Sequence, residues 1–449
     1  MPQSPERTAP GNAAARARSR PGPLRKRAGA GWDAVDTLAL YLLVLLAIPS
    51  NRAIEPLGGA GVPAVLLALI LLPWWGWYTA QREVGLLPAP IQPVRVAMMI
   101  LLVCIVASYA AGSQRPLSEP ESNALNLGLL KALSFLSILA VANDGIPSKE
   151  RLIHFLRWCC LLCGMYAALG VVQFVTGQSF VESISIPGLT VSDFGALQER
   201  GGFNRPSSTA RNPLEYAYVL AMFFPIAVTL ALNDKKQNVL MRWFPVAAIA
   251  TAAALSVSRS AIVGVAVATL VLAPFWTPGV RRKAAVAALG LLGVVWILVP
   301  GMMSTLFNLF GDDDPGVDSR TDSYAVVWSF WQLDPVFGRG FGTFLPGYRI
   351  LDNQYLLTLV ETGALGLAAL VGIAVTASFV AIKARTSYSH PLFRNLGPGL
   401  AASVVAGVVL TGFFDALSFP QAAGTLFLIL GLCGAFWRLK DAIPGAGHG

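Results

Sequence analysis

The chain has 449 residues, of which 55% are hydrophobic and 13% are charged, and its formal net charge is +9. An ordinary soluble domain carries roughly 25% charged residues, so this composition excludes a soluble fold and predicts an all-α polytopic membrane protein. Seven basic residues lie in an Ala/Pro/Arg-rich stretch within residues 1–31. We therefore expect a disordered cytoplasmic tail that touches anionic lipid headgroups, and no nucleic-acid partner.

Apolar runs near the roughly 20 residues that a membrane span needs recur along residues 32–440, which we expect to form one membrane domain. A short tail, 441–449, follows. About twelve spans are predicted. They are 34–49, 62–78, 94–112, 124–142, 153–176, 212–232, 241–256, 260–276, 283–302, 355–382, 395–414 and 421–437.

Lys and Arg are enriched in cytoplasmic loops, and this bias predicts that both termini are cytoplasmic. With that orientation, 23 of the 33 basic residues lie inside, and Lys131 falls within the fourth span. All the remaining basic residues are arginines, whose planar guanidinium binds phosphate through two hydrogen bonds. A general preference for Arg over Lys in this chain explains the same pattern equally well. The outward arginines are Arg52, Arg115, Arg200, Arg205, Arg211, Arg259, Arg320, Arg339 and Arg349.

Two outward loops are long, 177–211 and 303–354, and long ordered loops are usually functional. The first ends in Arg200, Arg205 and Arg211, directly before a span with Asn212 as its expected N-cap. Anions are favoured near a helix N-terminus, so these arginines are candidate phosphate ligands. The alternative is that they only contact lipid headgroups.

Arg259 lies in a short turn between two apolar runs that are each somewhat short for a span. The turn should therefore be recessed, with the arginine facing protein or a water-filled cavity. A recessed charge in a membrane domain indicates a functional site by default. The alternative is a long side chain that extends to the membrane surface.

The second long loop contains a capping-box pattern, Ser319-Arg320-Thr321-Asp322. The helix that it starts places four apolar residues at helical spacing, which predicts an interfacial helix on the membrane surface. Its first turn would present Arg320 to the other arginines. The apolar residues are Tyr324, Val327, Trp328 and Trp331.

Three glycines follow in the segment Asp334–Phe344. A nucleotide-binding loop is rejected because no strand precedes it and it faces away from the cytoplasm. We expect a flexible loop that closes over substrate.

The last element of this loop runs from Asp352 into the tenth span. Asp352 or Asn353 is the expected N-cap of that helix, and capping alone is one explanation of both residues. Glu361 follows two helical turns after Gln354, and a carboxylate at that depth should point into the bundle. Gly363 and Gly366 permit a kink or a close helix approach.

Five cysteines lie in apolar runs, and the spacing Cys159-Cys160-x-x-Cys163 has no second ligand pair. Packing is the favoured interpretation, and a metal or redox site is the alternative. We expect no cofactor and no metal.

Four groups of residues, in this order, resemble the O-antigen ligase and O-antigen polymerase superfamily of bacterial membrane enzymes. The groups are an Arg before a Ser/Thr-rich x-P-x-E stretch, a Ser-Arg between adjacent spans, an Arg before D-P-x-x-G-x-G-x-G-T-F, and N-x-Y-L followed by E-x-G-x-x-G-L. The resemblance covers roughly residues 195–435. The groups stand at Arg205–Tyr216, Ser258–Arg259, Arg320 with Asp334–Phe344, and Asp352–Leu367.

The resemblance implies a helical fold of the GT-C-like glycosyltransferase type in the cytoplasmic (inner) membrane, with its active site on the extracytoplasmic side. It also implies a polyprenyl-pyrophosphate-linked oligosaccharide as donor and a glycan or lipid as acceptor, in polysaccharide biosynthesis. Attack opposite the pyrophosphate would invert the anomeric centre without a metal.

On this basis we assign catalytic roles to Asp352, Arg259 and Arg320. Six further residues are candidates for binding the pyrophosphate or the glycan. They are Arg200, Arg205, Arg211, Asn353, Tyr355 and Glu361.

One position departs from the family pattern. Members commonly carry His where this chain has Asp352, and often where it has Asn212. The chain has only three histidines, at 154, 390 and 448, and all are predicted to lie on the cytoplasmic side or in the tail. Asp352 is therefore the candidate general base, although a carboxylate is a weaker base than an imidazole.

Three classes of function remain open. A transferase that polymerises or ligates glycans is favoured, with polymerase slightly ahead of ligase. A transporter is the second class, but the half-to-half repeat that many transporters show is not evident in the sequence. A non-catalytic relative that binds lipid-linked glycans is the third, because the family histidine is missing.

Overall fold

The protein is described by a computed structural model over residues 32–81, 91–191, 198–200, 202–301 and 315–440. From Ala34 onwards the described residues form one compact unit. The α-helices are α1 Ala34–Ala47, α2 Pro63–Ala80, α3 Pro93–Ser113, α4 Glu119–Gly145, α5 Lys149–Thr176, α6 Pro213–Asn233, α7 Val239–Leu255, α8 Arg259–Leu272, α9 Pro278–Leu298, α10 Pro315–Trp331, α11 Gln354–Ala384, α12 Pro391–Thr411 and α13 Pro420–Leu439. The strands are β1 Arg52–Ala53, β2 Thr190–Val191, β3 Gln198–Arg200 and β4 Phe203–Arg205.

The fold is that of an all-α polytopic membrane protein, as predicted. Each of the twelve predicted spans overlaps one helix, and α10 is the additional helix of the second long loop. By length and composition, 8 of the described helices are suited to crossing a membrane. Three shorter apolar segments, which contain α1, α7 and α8, accompany them. The number of spans and the orientation of the termini stay predictions.

The centre of the bundle is formed by α6 and α13, whose most apolar windows are each 89% buried. Helix α6 packs against α12, and α13 packs against α4. Their side chains join a single large apolar core. Helices α2 and α3, with 22% and 28% of their windows buried, lie at its periphery and expose apolar side chains, as lipid-facing helices do.

Helix α11 is broken at Gly363, whose backbone has φ 66° and ψ −172°. In an unbroken helix, the amides of Ala364 and Leu365 would donate to the carbonyls of Val360 and Glu361. The break removes both bonds and leaves four backbone groups to be satisfied.

The segment that precedes α11 supplies those partners. The amides of Ala364 and Leu365 donate to the carbonyls of Pro335 and Val336, at 2.9 and 3.4 Å. In return, the amides of Arg339 and Gly340 donate to the carbonyls of Val360 and Glu361, at 3.1 and 2.8 Å. The segment 335–344, called the glycine loop below, therefore replaces the two helical bonds that the break removes.

Glycine is required where this loop meets the helices. A Cβ on Gly338 would lie 2.4 Å from the Glu361 carbonyl oxygen, and one on Gly363 would lie 2.3 Å from the Val336 oxygen. On the facing helices, a Cβ on Gly112 or Gly128 would lie 2.5 or 2.2 Å from a loop carbonyl oxygen. These contacts fix the loop between α3, α4 and α11, and they do not support the flexible closing loop expected from the sequence.

Helix α10 carries its apolar residues on two faces, and not on the single stripe expected from the sequence. Val327 is buried in a cluster with Phe344, Leu351, Leu357 and Val360 of the neighbouring loop and helix. Tyr324 and Trp328 point outward and are 56% and 57% exposed. The inward face ties α10 to α11, and the outward aromatic face suits contact with the membrane surface.

Two small antiparallel sheets lie in the connections between helices. Strand β1 pairs with β2, with Arg52 opposite Val191, and this joins the connection after α1 to the loop after α5. Strands β3 and β4 form a hairpin in which Gln198 lies opposite Arg205. The hairpin leads directly into the segment before α6.

The close approach at Gly128 predicts a large difference between two glycine substitutions. Gly128→Ala places a methyl group against the Phe341 carbonyl and should lower the melting temperature in detergent, because overpacking typically costs about 1–3 kcal/mol. Gly372→Ala is the matched control, since a Cβ there meets nothing within 4 Å. Equal melting temperatures for the two variants would contradict the docking of the glycine loop.

Candidate active site

A cavity of about 270 Å³ opens beneath the glycine loop. Its wall combines α4, the loop, the first half of α11 and the connection between α12 and α13. Six polar or charged side chains lie on this wall. They are Lys131, Arg349, Gln354, Glu361, Asp415 and Ser418.

Glu361 lines this cavity and is only 3% exposed, so it points into the bundle as the sequence predicts. The break at Gly363 places it at the end of the first half of α11. Its Oε1 accepts a hydrogen bond from the Phe344 amide at 3.3 Å, and the Gly342 amide donates to the same carboxylate. Glu361 therefore holds the glycine loop in place while it faces the cavity.

Lys131 and Asp415 were not selected from the sequence, yet both line the same cavity as Glu361. Lys131 lies within electrostatic range of Glu361, Asp415 and Arg211. Its ammonium makes no hydrogen bond to the residues that the structure describes. For Lys131 the sequence does contain a signal, since a lysine in the middle of an apolar span is rare and usually faces a polar interior.

Asp415 lies in the connection between α12 and α13, outside the spanning helices. Burial raises its pKa to about 6, and the negative charge of Asp352 adds to this increase. A hydrogen bond from Ser418 and the positive charge of Arg211 oppose it. This carboxyl group therefore exchanges a proton in the range where a histidine usually does.

Gln354 joins the start of α11 to this connection. Its Oε1 accepts from the Leu417 amide at 2.8 Å, and its Nε2 donates to Thr358 at 3.1 Å. Because Gln354 follows Asp352 closely and Leu417 follows Asp415, these bonds bring the two aspartates into the same neighbourhood.

The structure assigns different environments to the three predicted residues at the start of α11. Asp352 is exposed at the rim of the cavity, between the lining residues Leu351 and Gln354. Asn353 is the N-cap, and its side chain accepts from the amides of Tyr355 and Leu356. The Tyr355 hydroxyl donates to the Val408 carbonyl on α12. Capping and helix packing thus account for the observed contacts of Asn353 and Tyr355.

The segment before α6 is held by a buried carboxylate, Glu215. Its Oε2 accepts from the Ser50 hydroxyl at 2.7 Å and from the Arg211 amide at 3.0 Å, and its Oε1 accepts from the Gln421 amide at 2.7 Å. Asn212 caps α6 through the Leu214 amide at 2.9 Å, as predicted. The Arg211 backbone is therefore fixed while its side chain is exposed.

Ser208, in the same segment, adopts a left-handed backbone with φ 53°. Non-glycine residues in this region are strained by roughly 1–3 kcal/mol and need surrounding contacts to hold them. Gln173 supplies them, because its amide accepts from the Ser208 nitrogen at 2.7 Å and donates to the Ser208 oxygen at 3.0 Å. The Ser208 hydroxyl adds a bond to the Tyr166 carbonyl at 2.8 Å.

Arg205 and Arg259 lie on two segments that share an apolar cluster. Arg205 ends strand β4 and donates to Gln198 at 3.0 Å. Arg259 begins α8 and is half-buried after a fully buried turn. That turn contains Val257, a β-branched residue with φ 47°, and Val257 packs in the same cluster as Phe203 of the hairpin. The turn is therefore buried within the protein, and its recessed position in the membrane stays a prediction.

Arg339 differs from the other arginines predicted to lie outside because its contacts explain it as a structural residue. Its Nη2 donates to Glu121 at 2.9 Å, and Arg115 donates to the same carboxylate oxygen at 3.0 Å. The guanidinium also stacks over the rings of Phe330 and Tyr348, at 4.5 and 5.1 Å. These contacts join the glycine loop to α4 and α10.

Two of the predicted site residues are described only in part. The backbones of Arg200 and Arg320 lie in β3 and α10, and their side chains are outside the described structure. Of the remaining predicted residues, Glu361 lines the cavity, Asp352 stands at its rim and Arg211 lies within electrostatic range of Asp415. Arg205 and Arg259 are not among the residues that line the cavity. All five cysteines are free, and four of them are fully or nearly fully buried.

Within the described ranges, no group of three or more His, Cys, Asp and Glu side chains is arranged to hold a metal ion.

Residues 244–371 match the family described as O-antigen ligase (Wzy_C). The matched region runs from α7 into α11, and it includes Arg259, the glycine loop, Asp352 and Glu361. The match confirms the predicted resemblance to the O-antigen ligase and polymerase superfamily, whose members are membrane enzymes that act on lipid-linked glycans. No curated protein shows a significant match to the chain.

The carboxylate of Glu215 accepts three hydrogen bonds, and an amide cannot replace it. In Glu215→Gln, one oxygen becomes an NH₂ group that faces a backbone donor. A buried donor without a partner costs about 1–3 kcal/mol, so the melting temperature in detergent should fall. Glu182→Gln, at an exposed position, is the control and should melt like the wild type. A Glu215→Gln protein as stable as the control would show that the carboxylate is not the anchor of this segment.

Proposed function

We propose that the protein is a membrane glycosyltransferase that transfers or polymerises glycans from a polyprenyl-pyrophosphate-linked donor at the outer face of the cytoplasmic membrane. Its acceptor is a glycan or a lipid, and its product belongs to a cell-surface or exported polysaccharide. The observation that carries this proposal is the polar cavity beneath the glycine loop, where Glu361 from the matched region meets Lys131 and Asp415. Such a cavity in an apolar helix bundle suits a polar substrate that reaches the enzyme on a lipid anchor.

The arginines of the predicted outward segments stabilise the pyrophosphate leaving group. When the bond to the anomeric carbon breaks, negative charge develops on the pyrophosphate, and fixed cations that face this charge lower the barrier. Arg211, Arg259 and Arg320 are the candidates for this role, with Arg200 and Arg205 as further ligands of the donor. No metal is needed for this chemistry, and attack from the opposite side inverts the anomeric centre.

The acceptor hydroxyl loses its proton during the attack. The proton leaves towards Asp352, which stands where family members commonly have histidine. General-base catalysis of this kind contributes about 10²–10⁴-fold to a rate.

We favour a polymerase over a ligase. A deletion strain distinguishes them, because a missing polymerase leaves single repeat units and a missing ligase leaves long chains on the lipid carrier. Gel analysis of envelope glycans and of the lipid-linked pool reads out both results.

The arginine assignment predicts the behaviour of one variant in that strain. Arg259→Ala should fail to restore the product although the protein reaches the membrane, because the loss of one transition-state hydrogen-bond donor typically costs about 10²–10³-fold in rate. Arg281→Ala is the matched control, since Arg281 is an exposed arginine on the predicted cytoplasmic side, and it should restore the product fully.

One combination of results overturns the proposal. If the deletion changes neither glycans nor the lipid-linked pool, and Arg259→Ala behaves like Arg281→Ala, then the protein is not a glycan transferase. A transporter or a non-catalytic glycan-binding protein becomes the next hypothesis.

A further inference from the structure

Among the described residues that line the cavity, Asp415 is the carboxylate that is both half-buried and outside the helices. Glu361 also lines the cavity, but two backbone amides of the glycine loop already bind its carboxylate, and it is only 3% exposed. Asp352 is exposed at the rim and does not line the cavity. A group that takes a proton from a bound acceptor must be in reach of that acceptor, so Asp415 is better placed than either.

We propose that Asp415 is the group that accepts the proton of the acceptor hydroxyl, and that Asp352 passes this proton from the cavity to the water outside. The inference rests on the proposed transferase function and replaces Asp352 by Asp415 as the first acceptor of the proton. The acceptor oxygen forms its bond to the anomeric carbon as its proton moves to an Asp415 oxygen. The bond between the anomeric carbon and the pyrophosphate breaks, and its electron pair leaves with the pyrophosphate.

The charges around Asp415 suit this role. Lys131 from α4 and Arg211 from the segment before α6 are the cations within electrostatic range, and Asp352 and Glu361 of the α11 region are the anions. Ser418 donates a hydrogen bond to the carboxylate, and Arg349 lies further along the same wall. With a pKa of about 6, Asp415 is mostly ionised at neutral pH and able to take up a proton.

The same arrangement explains how two carboxylates can replace the histidine that family members commonly have at position 352. A single exposed carboxylate is a weak base. A second carboxylate beside it, partly removed from water, holds a proton at a pH where an imidazole would. The cavity also suits an acceptor group, because 270 Å³ lies at the lower end of small-molecule sites and leaves no room for a long lipid chain.

The experiment measures the rate against pH. Right-side-out membrane vesicles from the producing strain carry the endogenous lipid-linked pool, and their outer face takes the pH of the buffer. The initial rate at which this pool is consumed is recorded between about pH 4.5 and 8. A base works only when ionised, so the wild-type rate should fall with decreasing pH, with a midpoint near the Asp415 pKa of about 6.

Asp415→Asn should lower the rate by about 10²–10⁴-fold, the usual contribution of a general base. Asp415→Glu, which keeps a carboxylate, should retain measurable activity, and this comparison separates a chemical role from a failure to fold. Full activity in Asp415→Asn would overturn the inference while the transferase function stands. A wild type that consumes no lipid-linked pool would instead overturn the proposed function itself.

Two further variants move the midpoint in opposite directions. Ser418→Ala removes a hydrogen bond to the ionised carboxylate, which raises the pKa of Asp415 and should shift the midpoint to higher pH. Asp352→Asn removes a neighbouring negative charge and should shift the midpoint to lower pH, with a smaller loss of rate than Asp415→Asn. If Asp352→Asn abolishes the reaction and Ser418→Ala leaves the midpoint unchanged, Asp352 alone is the base and the inference is wrong.

Discussion

The interruption of helix α11 at Gly363 is the constraint on which the part of the molecule around the cavity depends. It exposes two carbonyls and two amides in the interior of a helix bundle, where backbone groups must find partners. The glycine loop satisfies all four of them and also places its own amides on the Glu361 carboxylate. The roof of the cavity and one of its walls are therefore joined by main-chain hydrogen bonds, which depend less on side-chain identity than ordinary packing does.

Around this centre, buried polar groups hold the connecting segments in place. Glu121 joins Arg115 and Arg339, and Glu215 joins the segment before α6 to the start of α13. Each carboxylate has several donors, so neither leaves an uncompensated charge in the apolar interior. The strained backbone at Ser208 and Val257 occurs on segments that lead to Arg211 and Arg259. Strain of this kind is usually retained where a precise side-chain position matters.

The helices could be predicted from the sequence because apolar runs of the right length are a local signal. The cap at Asn212, the kink at Gly363 and the inward direction of Glu361 also follow from neighbouring residues. Lys131 and Asp415 could not be selected, because only tertiary packing brings α4 and the connection before α13 to one cavity. The glycine loop was misjudged for the same reason: three glycines predict mobility when the helices that press against them are not known.

The contacts of the glycine loop also bear on the order in which the molecule is completed during synthesis. Gly112 and Glu121 contact Arg339, which leaves the ribosome more than two hundred residues after them. The groove between α3 and α4 is thus made early and must stay unfilled while the central helices insert. The groove can close only after α11 and the glycine loop have been synthesised. A chain released earlier has the helices of the first half but not the cavity. The cavity is in this way complete only in the nearly finished polypeptide, because its wall also includes residues that precede α13.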